Sequence, residues 1–290
     1  MSRRPRLTYK GAIHHVMSRG NRKSKIFNDA RDRLDFLEIL SAARERFHVL
    51  WQQFDLENTH YHLKVETPEG NISETMKFVN QTFTESWNRR HRTTGHVFEG
   101  RFKSPLVEDG WYGRSVISYI ALNPVKANYV RHAAEWPWSS HRALAGLVSP
   151  PEFLDLDWLR RYFDGPTLRD CQRQYQEFID AEELQLRDFG DEFVVGSDQY
   201  CSNVRELIGA RMYGLVVPRS YRALARPPLS TLFAGRREDL DRRNRMVIRA
   251  QVVYGYTQSE IARALGLHSN TISKITRAIK RQRYYVVRVK

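Results

Sequence analysis

Two histidines flank a tyrosine in the segment N-T-H-Y-H-L-K-V, residues 58–65. On a β-strand, residues two apart point to the same face, so His60 and His62 would project side by side, with Tyr61 on the other face. Two imidazoles at this spacing can ligate one divalent cation. The pair alone is equally compatible with two histidines on a hydrated strand face. A catalytic interpretation therefore needs a further ligand and a reactive group.

Residues 111–127, W-Y-G-R-S-V-I-S-Y-I-A-L-N-P-V-K-A, offer both. On a helix, Tyr119 and Asn123 are four residues apart and share one face. Asn123 would present an amide oxygen that a hard cation accepts, and Tyr119 a phenolic hydroxyl beside it. Pro124 is expected to end or bend this helix just after Asn123. The alternatives are a core-facing tyrosine and a simple helix stop.

The hydrophobic pattern predicts the elements that would position these groups. Short apolar runs predict strands over residues 12–18, 49–54, 60–65 and 102–107, and a helix is expected over 113–122. Two further helices are indicated by apolar residues at spacings of three and four: Phe36, Leu40, Ala43 and Phe47, then Ile72, Met76, Val79 and Phe83. Asn71 and Glu74 have the spacing of a cap at the start of the second. The order predicts an α+β fold with a ferredoxin-like (split βαβ) antiparallel sheet.

Charge divides the chain into three parts. The net charge is +14, which favours a polyanionic partner, with nucleic acid ahead of a membrane surface. Basic residues exceed acidic ones by eight in residues 1–150 and by ten in residues 236–290, whereas acidic residues exceed basic ones by four in between. We therefore expect a first domain over residues 1–147, a mostly helical connecting region over 148–235 and a DNA-binding domain over 236–290.

Other features exclude some classes of protein. No apolar run is long enough to span a membrane, and the basic N-terminus is not followed by the apolar segment of a signal peptide. Cys171 and Cys201 are the only cysteines and lie outside any C-x-x-C pattern, which excludes a cysteine zinc cluster and suits a reducing cytoplasm. The expected location is cytoplasmic, in association with the nucleoid.

Two basic segments of the first domain are candidates for contact with DNA. One surrounds Gly20, which permits a close backbone approach. The other interleaves cations with Phe98 and Phe102, a combination that suits single-stranded or hairpin DNA, although both phenylalanines could equally be core residues. The candidate side chains are Arg19, Asn21, Arg22, Lys23, Arg89, Arg90, Arg101 and Lys103.

The C-terminal block contains a helix-turn-helix pattern. Thr257 and Glu260 form a T-x-x-E capping box, Gly266 makes the turn, and Ser269 is expected to cap the second helix. The side chains expected to face DNA are Asn270, Thr271, Ser273, Lys274 and Arg277. About 45 residues here resemble the helix-turn-helix of replication-initiator C-terminal domains.

The first 145 or so residues resemble the single-tyrosine transposases of the His-hydrophobe-His class, in particular the REP-associated tyrosine transposases. The matching segments are H-H-V-M-S-R-G-N, T-H-Y-H-L-K-V-E-T-P-E-G-N, N-R-R-H-R-T-T-G-H-V-F-E-G-R-F-K-S, S-Y-I-A-L-N-P-V-K-A and W-P-W-S-S-H. The chain departs from the family at Glu57-Asn58-Thr59, where members usually read M-P-N. This departure affects the approach to the histidines and their supporting hydrogen bonds.

The resemblance implies a mechanism. His60 and His62 match the paired metal ligands, Asn123 falls where a third, amide ligand is expected, and Tyr119 matches the catalytic tyrosine. Mg²⁺ or Mn²⁺ would polarise a scissile phosphate in single-stranded, hairpin-containing DNA, and Tyr119 would form a 5′-phosphotyrosine intermediate.

Two other functions remain open. The chain could be a non-catalytic DNA-binding regulator that uses its helix-turn-helix, or a metal-dependent phosphodiesterase that uses water in place of Tyr119. A monomer and a homodimer are both compatible with the sequence, and duplex DNA is a further candidate partner of the helix-turn-helix.

Overall fold

The computed structural model describes residues 7–182, 194–204, 228–234, 240–252 and 256–276. Contacts divide the chain into one compact unit that runs to Asp198 and a second that starts at Gln199. The domain boundaries predicted from charge, after residues 147 and 235, stay predictions. No helix in the described ranges combines the length and the apolar character that are needed to cross a membrane.

The first unit is built on a β-sheet with helices on both faces. Its strands are β1 (Ala12–Arg19), β2 (Leu50–Leu56), β3 (His60–Thr67), β4 (Leu106–Val107) and β5 (Val194–Val195). Its helices are α1 (Ala30–Phe47), α2 (Ile72–His91), α3 (Trp111–Lys126), α4 (His141–Leu144), α5 (Leu159–Tyr162) and α6 (Leu168–Ala181).

The strand order in space is β2-β3-β1-β4-β5. The first four strands pair antiparallel, and β5 adds to the edge parallel to β4. With α1 between β1 and β2 and α2 between β3 and β4 in the chain, this is the split βαβ arrangement. The predicted α+β, ferredoxin-like fold is confirmed, with β5 as an addition.

The regularly spaced apolar residues of α1 and α2 face the core, as predicted. Phe36, Leu40 and Ala43 of α1 are fully buried, as are Ile72, Met76 and Val79 of α2, with Phe47 and Phe83 in the same cluster. Asp29 caps α1 by accepting a hydrogen bond from the Asp32 amide. Asn71 does start α2, but its side chain donates to the Phe47 carbonyl instead of capping the helix. The side chain thereby joins the end of α1 to the start of α2.

Helix α3 covers the opposite face of the sheet, against β2 and β3. Gln53 on β2 donates from its amide to the Ile117 carbonyl of α3 at 3.0 Å. The helix does not end at Asn123: it continues through Pro124 to Lys126, and the Ala127 amide still bonds to the Asn123 carbonyl. Pro124 lies in the last turn, so any bend that it causes affects only the end of the helix.

Residues beyond 138 pack onto the outer edge of the sheet. The Ser140 hydroxyl bonds to both the amide and the carbonyl of Phe54, and the Asp155 amide bonds to the Trp51 carbonyl. The buried indole of Trp158 donates to the Gln52 carbonyl. These bonds satisfy backbone groups that β2, as an edge strand, would otherwise leave unpaired.

The second unit contains the predicted helix-turn-helix. Its described helices are α7 (residues 198–204, which begin in the last residue of the first unit), α8 (Leu229–Leu232), α9 (Leu240–Val252), α10 (Gln258–Leu265) and α11 (residues 269–276). The reciprocal Thr257–Glu260 capping box is present, and Gly266 ends α10 with φ of 66°. A small apolar core holds the helices together: Leu232, Phe233, Val247, Ala250, Tyr256, Ile261, Ala262 and Ile272.

The cap of α11 differs from the expected one. The Asn270 amide donates to Nδ1 of His268 at 3.2 Å, and the Thr271 amide to the His268 carbonyl at 2.9 Å. His268, one residue earlier than Ser269, therefore supplies the bonds that start this helix.

Candidate active site

His60, His62 and Tyr119 line one pocket of about 250 Å³ where β1 ends and β3 begins. The pairing of β1 with β3 places Arg19 opposite His60 and Met17 opposite His62. Helix α3 brings Tyr119 to the same place, with its ring centroid 5.4 Å from that of His62 and an interplanar angle of 77°. The structure thus brings together the histidine pair and the tyrosine that the sequence placed 57 residues apart.

The two histidines are close neighbours on one strand face, as their spacing predicts. Their ring centroids lie 5.0 Å apart. Burial lowers the pKa of His60 to about 4, with a smaller contribution from the Arg19 cation, and holds the pKa of His62 well below its usual range. Both imidazoles are therefore neutral at physiological pH, which is the form that binds a metal.

His60 is held by the residues that precede it. Its Nε2 lies 3.2 Å from Oε2 of Glu57, and its Nδ1 lies 3.0 Å from the Thr59 hydroxyl. Burial raises the pKa of Glu57 to about 7. The segment in which the chain departs from the M-P-N pattern therefore supplies direct partners of the first histidine.

His62 is held from a neighbouring strand. Nε2 of His15, on β1, lies 3.0 Å from Nδ1 of His62, and both side chains are buried. The His15 ring also lies edge-on to Tyr119, with centroids 5.6 Å apart. Sequence reasoning missed His15 as a site residue, since only strand pairing shows that residues 15 and 62 meet.

Tyr119 sits at the border of the site and a small apolar cluster. It is 8% exposed and packs with Ile13, Val116 and Ile120. Val195 of β5 belongs to the same cluster. The Lys126 ammonium lies 5.6 Å from the Tyr119 ring centroid, a cation that motif reasoning did not single out.

Asn123 lies one turn beyond Tyr119 on α3 and is 6% exposed. Its side-chain nitrogen has no hydrogen-bond partner among the described residues, nor does Nε2 of His62 or Oε1 of Glu57. Unpaired buried polar atoms are rare, and a bound group is a common reason for them. Of these atoms, Nε2 of His62 and Oε1 of Glu57 could bind a cation, whereas the amide nitrogen of Asn123 can only donate a hydrogen bond and its amide oxygen would have to be the ligand.

Histidine and carboxylate side chains do not complete a metal site by themselves. Within the described part of the chain, no three His, Cys, Asp or Glu side chains are placed to hold an ion. A cation on His60 and His62 would therefore need oxygens from Asn123, water or a phosphate. Mg²⁺ and Mn²⁺ prefer oxygen ligands and imidazole suits transition metals, so a set of two imidazoles and oxygens would suit Mn²⁺ better than Mg²⁺.

A buried carboxylate lies beside the histidines. Asp55 of β2 pairs directly with His62 of β3 in the sheet register. Burial, with help from the nearby Glu57 carboxylate, raises the pKa of Asp55 well above its usual range. The nearby Arg33 cation offsets part of this increase in pKa.

Several predicted DNA-contact residues surround this pocket. Arg19, Arg101 and Lys103 line it together with the histidines and Tyr119. Residues Asn21–Lys23 form an exposed turn next to it, in which Arg22 and Lys23 have positive φ. Gly20 is required at the start of this turn, because a Cβ atom there would lie 2.1 Å from the Ser24 carbonyl oxygen.

The predicted cations of α2 have different surroundings. Arg89 is exposed at the end of the helix. Arg90 forms ion pairs with Asp29, at 2.5 Å, and with the buried Asp32. The Arg90 guanidinium therefore joins the end of α2 to the start of α1, and a contact with DNA would compete with these pairs.

Phe98 and Phe102 do not form an exposed stacking surface. They are 9% and 8% exposed and belong to the main core. Phe98 packs against Tyr61 and Phe83 with ring centroids 6.0 Å away in each case. Of the two interpretations left open by the sequence, the core one is confirmed.

The predicted recognition helix exposes most of its candidate residues. Asn270, Thr271 and Lys274 are exposed and Ser273 is half-buried, while Ile272 points into the small core. Arg277 lies outside the described residues.

Part of the first unit matches a known protein family. Residues 8–123 match the transposase family described as IS200-like. The resemblance inferred from the motifs is thus confirmed for this segment. It contains His15, His60, His62, Tyr119 and Asn123, whereas Lys126, α4 to α6, β5 and the helix-turn-helix lie beyond it.

Two individual proteins are similar to parts of the chain. A Haemophilus influenzae protein, whose name places it with the REP-associated tyrosine transposases, is 27% identical over an alignment of 106 residues, and the match covers 32% of this chain and 60% of the relative. The chain thus spans less than two thirds of that relative. A solved REP-associated tyrosine transposase bound to a REP hairpin is 20% identical, with a TM-score of 0.45, over 54% of this chain and 96% of the other.

Proposed function

We propose that the first unit is a metal-assisted DNA transposase that cleaves and rejoins single-stranded, hairpin-containing DNA through Tyr119. The observation that carries this proposal is the convergence of Tyr119 with His60 and His62 in a pocket lined by Arg19, Arg101 and Lys103. A nucleophile, a pair of neutral imidazoles and three cations are the groups that attack on a phosphodiester requires.

The reaction is a transesterification. The phenolic oxygen of Tyr119 attacks phosphorus, the bond from phosphorus to the 3′ oxygen breaks, and that oxygen takes up a proton. The products are a 5′-phosphotyrosine link and a free 3′ hydroxyl. Attack by a 3′ hydroxyl on this link reverses the step, so rejoining needs no nucleotide cofactor.

The residues divide this work. His60, His62 and the amide oxygen of Asn123 would hold Mg²⁺ or Mn²⁺, which supplies Lewis-acid polarisation of the phosphate when bound. Arg19, Arg101 and Lys103 would neutralise the phosphate oxygens and fix the strand. A phenol has a pKa of roughly 10, so deprotonation of Tyr119 requires positive charge nearby, and Lys126 supplies part of it.

Covalent trapping tests the proposal. The protein is incubated with end-labelled hairpin DNA and Mn²⁺, and adducts are resolved on a denaturing gel. We expect an adduct with the wild type and with the control Tyr112→Phe, which alters another tyrosine of the same helix, and none with Tyr119→Phe. An adduct that survives Tyr119→Phe would show that another residue is the nucleophile.

The same assay separates the other two functions. A phosphodiesterase that uses water would cut the DNA without an adduct and would retain cutting in Tyr119→Phe. A regulator would bind DNA and neither cut it nor become attached. Either result with the wild type would overturn the proposal.

We further propose that α11 contacts duplex DNA. This proposal is supported by the capped helix-turn-helix and by the exposed Asn270, Thr271 and Lys274 on its second helix. Binding by this unit would be independent of the chemistry at Tyr119. A protein that is located with the nucleoid in the cytoplasm and acts as a monomer or homodimer is compatible with both proposals.

A further inference from the structure

The contact between His15 and His62 allows two hydrogen-bonding states of the pocket. Register places Met17 opposite His62 and His15 opposite Lys64, so His15 is the diagonal neighbour of His62 on the same sheet face. Nε2 of His15 lies 3.0 Å from Nδ1 of His62, with ring centroids 5.2 Å apart. Neither ring is accessible from solvent to any significant extent.

A hydrogen bond between two neutral imidazoles has two possible directions. If Nδ1 of His62 donates, its proton resides on Nδ1 and Nε2 carries a free lone pair. If His15 donates instead, the proton of His62 resides on Nε2, which then cannot bind a metal. The direction of this one bond therefore decides whether His62 can be a ligand.

Metal binding at Nε2 of His62 requires the first state. This atom is buried and has no hydrogen-bond partner within the described ranges, so its lone pair is available to a cation. In this state the remaining proton of His15 resides on its own Nδ1, which is buried as well. The same state lets the Nδ1 proton of His62 find its acceptor in His15.

We propose that His15 is a positioning residue, which accepts the Nδ1 proton of His62 and so fixes the tautomer and ring orientation that present Nε2 to the pocket. The inference rests on the proposed function in one respect, that His62 is a metal ligand there. Hydrogen bonding of the second ring nitrogen is general for metal-binding histidines, and its loss weakens metal affinity about 10- to 100-fold. An imidazole serves here where a carboxylate or carbonyl is more usual.

The tautomer can be measured on the metal-free protein. Long-range ¹H–¹⁵N correlation spectra of ¹⁵N-histidine-labelled protein report which ring nitrogen carries the proton, and His62→Gln assigns the His62 signals. We expect the proton on Nδ1 in the wild type, a mixture or the Nε2 form in His15→Leu, and the wild-type pattern in His15→Gln, whose amide oxygen can accept the same proton.

Mn²⁺ affinity gives a second measurement that does not depend on DNA chemistry. Titration calorimetry is expected to show about 10- to 100-fold weaker binding for His15→Leu and substantial recovery for His15→Gln. The matched control is His14→Leu, which alters the adjacent buried histidine. His14 points to the other face and contacts the Thr8 hydroxyl at 3.2 Å. The His14→Leu variant should therefore leave both the tautomer of His62 and the Mn²⁺ affinity unchanged.

The outcomes separate the two proposals. An Nε2 proton on wild-type His62, or an unchanged tautomer and affinity in His15→Leu, overturns the role of His15 whatever the DNA assay shows. An Nδ1 proton that His15→Leu displaces supports the positioning role, even if no covalent adduct forms and the transposase function fails.

Discussion

The ring of Tyr119 stands edge-on to the ring of His62, with centroids 5.4 Å apart. A tyrosine on α3 thus meets a histidine on β3. The apolar side of Tyr119 packs into the core, and His62 belongs to the pocket. Replacement of either residue should therefore affect chemistry more than folding.

His62→Ala and His60→Ala are expected to reduce formation of the covalent adduct by about 100-fold or more, because each removes one candidate ligand of a cation that stabilises the charged phosphate. EDTA should have the same effect on the wild type. The measurement is the initial rate of adduct formation, with circular dichroism to show that the variants fold. Full activity of both variants in EDTA would contradict a metal-assisted reaction.

Arg90→Ala and Arg101→Ala should have different effects. Arg90 is paired with Asp29 and Asp32, so its loss is expected to lower Tm with little change in DNA affinity. Arg101 lines the pocket, and its loss should weaken single-strand binding and reduce the salt dependence of log K by about 0.7 per lost phosphate contact. Fluorescence anisotropy at several salt concentrations measures the DNA affinity of each variant, and thermal melts measure its Tm. An equal loss of DNA affinity in the two variants would show that Arg90 contacts DNA as well.

Val195→Ala tests whether β5 supports Tyr119. Val195 is 1% exposed in the cluster of Tyr119, and Glu108 of the adjoining segment accepts from the Ser197 hydroxyl at 3.0 Å. Loss of two buried methyl groups should reduce the free energy of unfolding by roughly 2 kcal/mol and slow adduct formation. Val194→Ala, at the half-buried neighbour, is the control and should have a smaller effect on both. A larger effect of Val194→Ala would show that β5 does not hold the tyrosine cluster through Val195.

His141 should make the fold sensitive to acid. Burial lowers the pKa of this histidine from 6.5 to about 4, and its Nδ1 lies 3.1 Å from the Tyr175 hydroxyl. Between these pH values the unfolded chain binds a proton that the folded protein does not, so stability is present above pH 6.5 and falls as pH decreases towards 4. The loss is on the order of 3 kcal/mol.

Urea unfolding of the wild type and of His141→Asn across this pH range measures the effect of His141. The free energy of unfolding of the variant should depend less on pH than that of the wild type. His96→Asn, which replaces an exposed histidine, is the control and should retain the wild-type dependence. An identical pH profile for His141→Asn would show that other groups cause the acid sensitivity.

Lys274→Ala should separate the two DNA activities. Lys274 is exposed on α11, in the unit that begins at Gln199. Its loss is expected to weaken duplex binding and to lower the salt slope by about 0.9, with no change in the yield of the covalent adduct on a hairpin. Gel shifts measure duplex binding, and the trapping assay measures the yield of the covalent adduct. A parallel loss of adduct would link the helix-turn-helix to the reaction.

Local patterns in the sequence determined much of the fold. The spacing of His60 and His62 placed them on one strand face, and the stripes of α1 and α2 placed their apolar residues in the core. The Thr257–Glu260 capping box and Gly266 marked the limits of α10. Each of these features depends on residues within about one or two helical turns, or two strand positions, where backbone geometry alone fixes which side chains are neighbours.

Tertiary structure decided what depends on distant residues. The pairing of β1 with β3 brings His15 into contact with His62. Asp29 and Asp32 form ion pairs with the guanidinium of Arg90. Burial placed Phe98 in the core, and α3 continues two residues past Pro124, which lies in its last turn. Such contacts join residues tens of positions apart. Charge and periodicity do not encode these partners, because the partners are chosen by strand register and by competition for buried space.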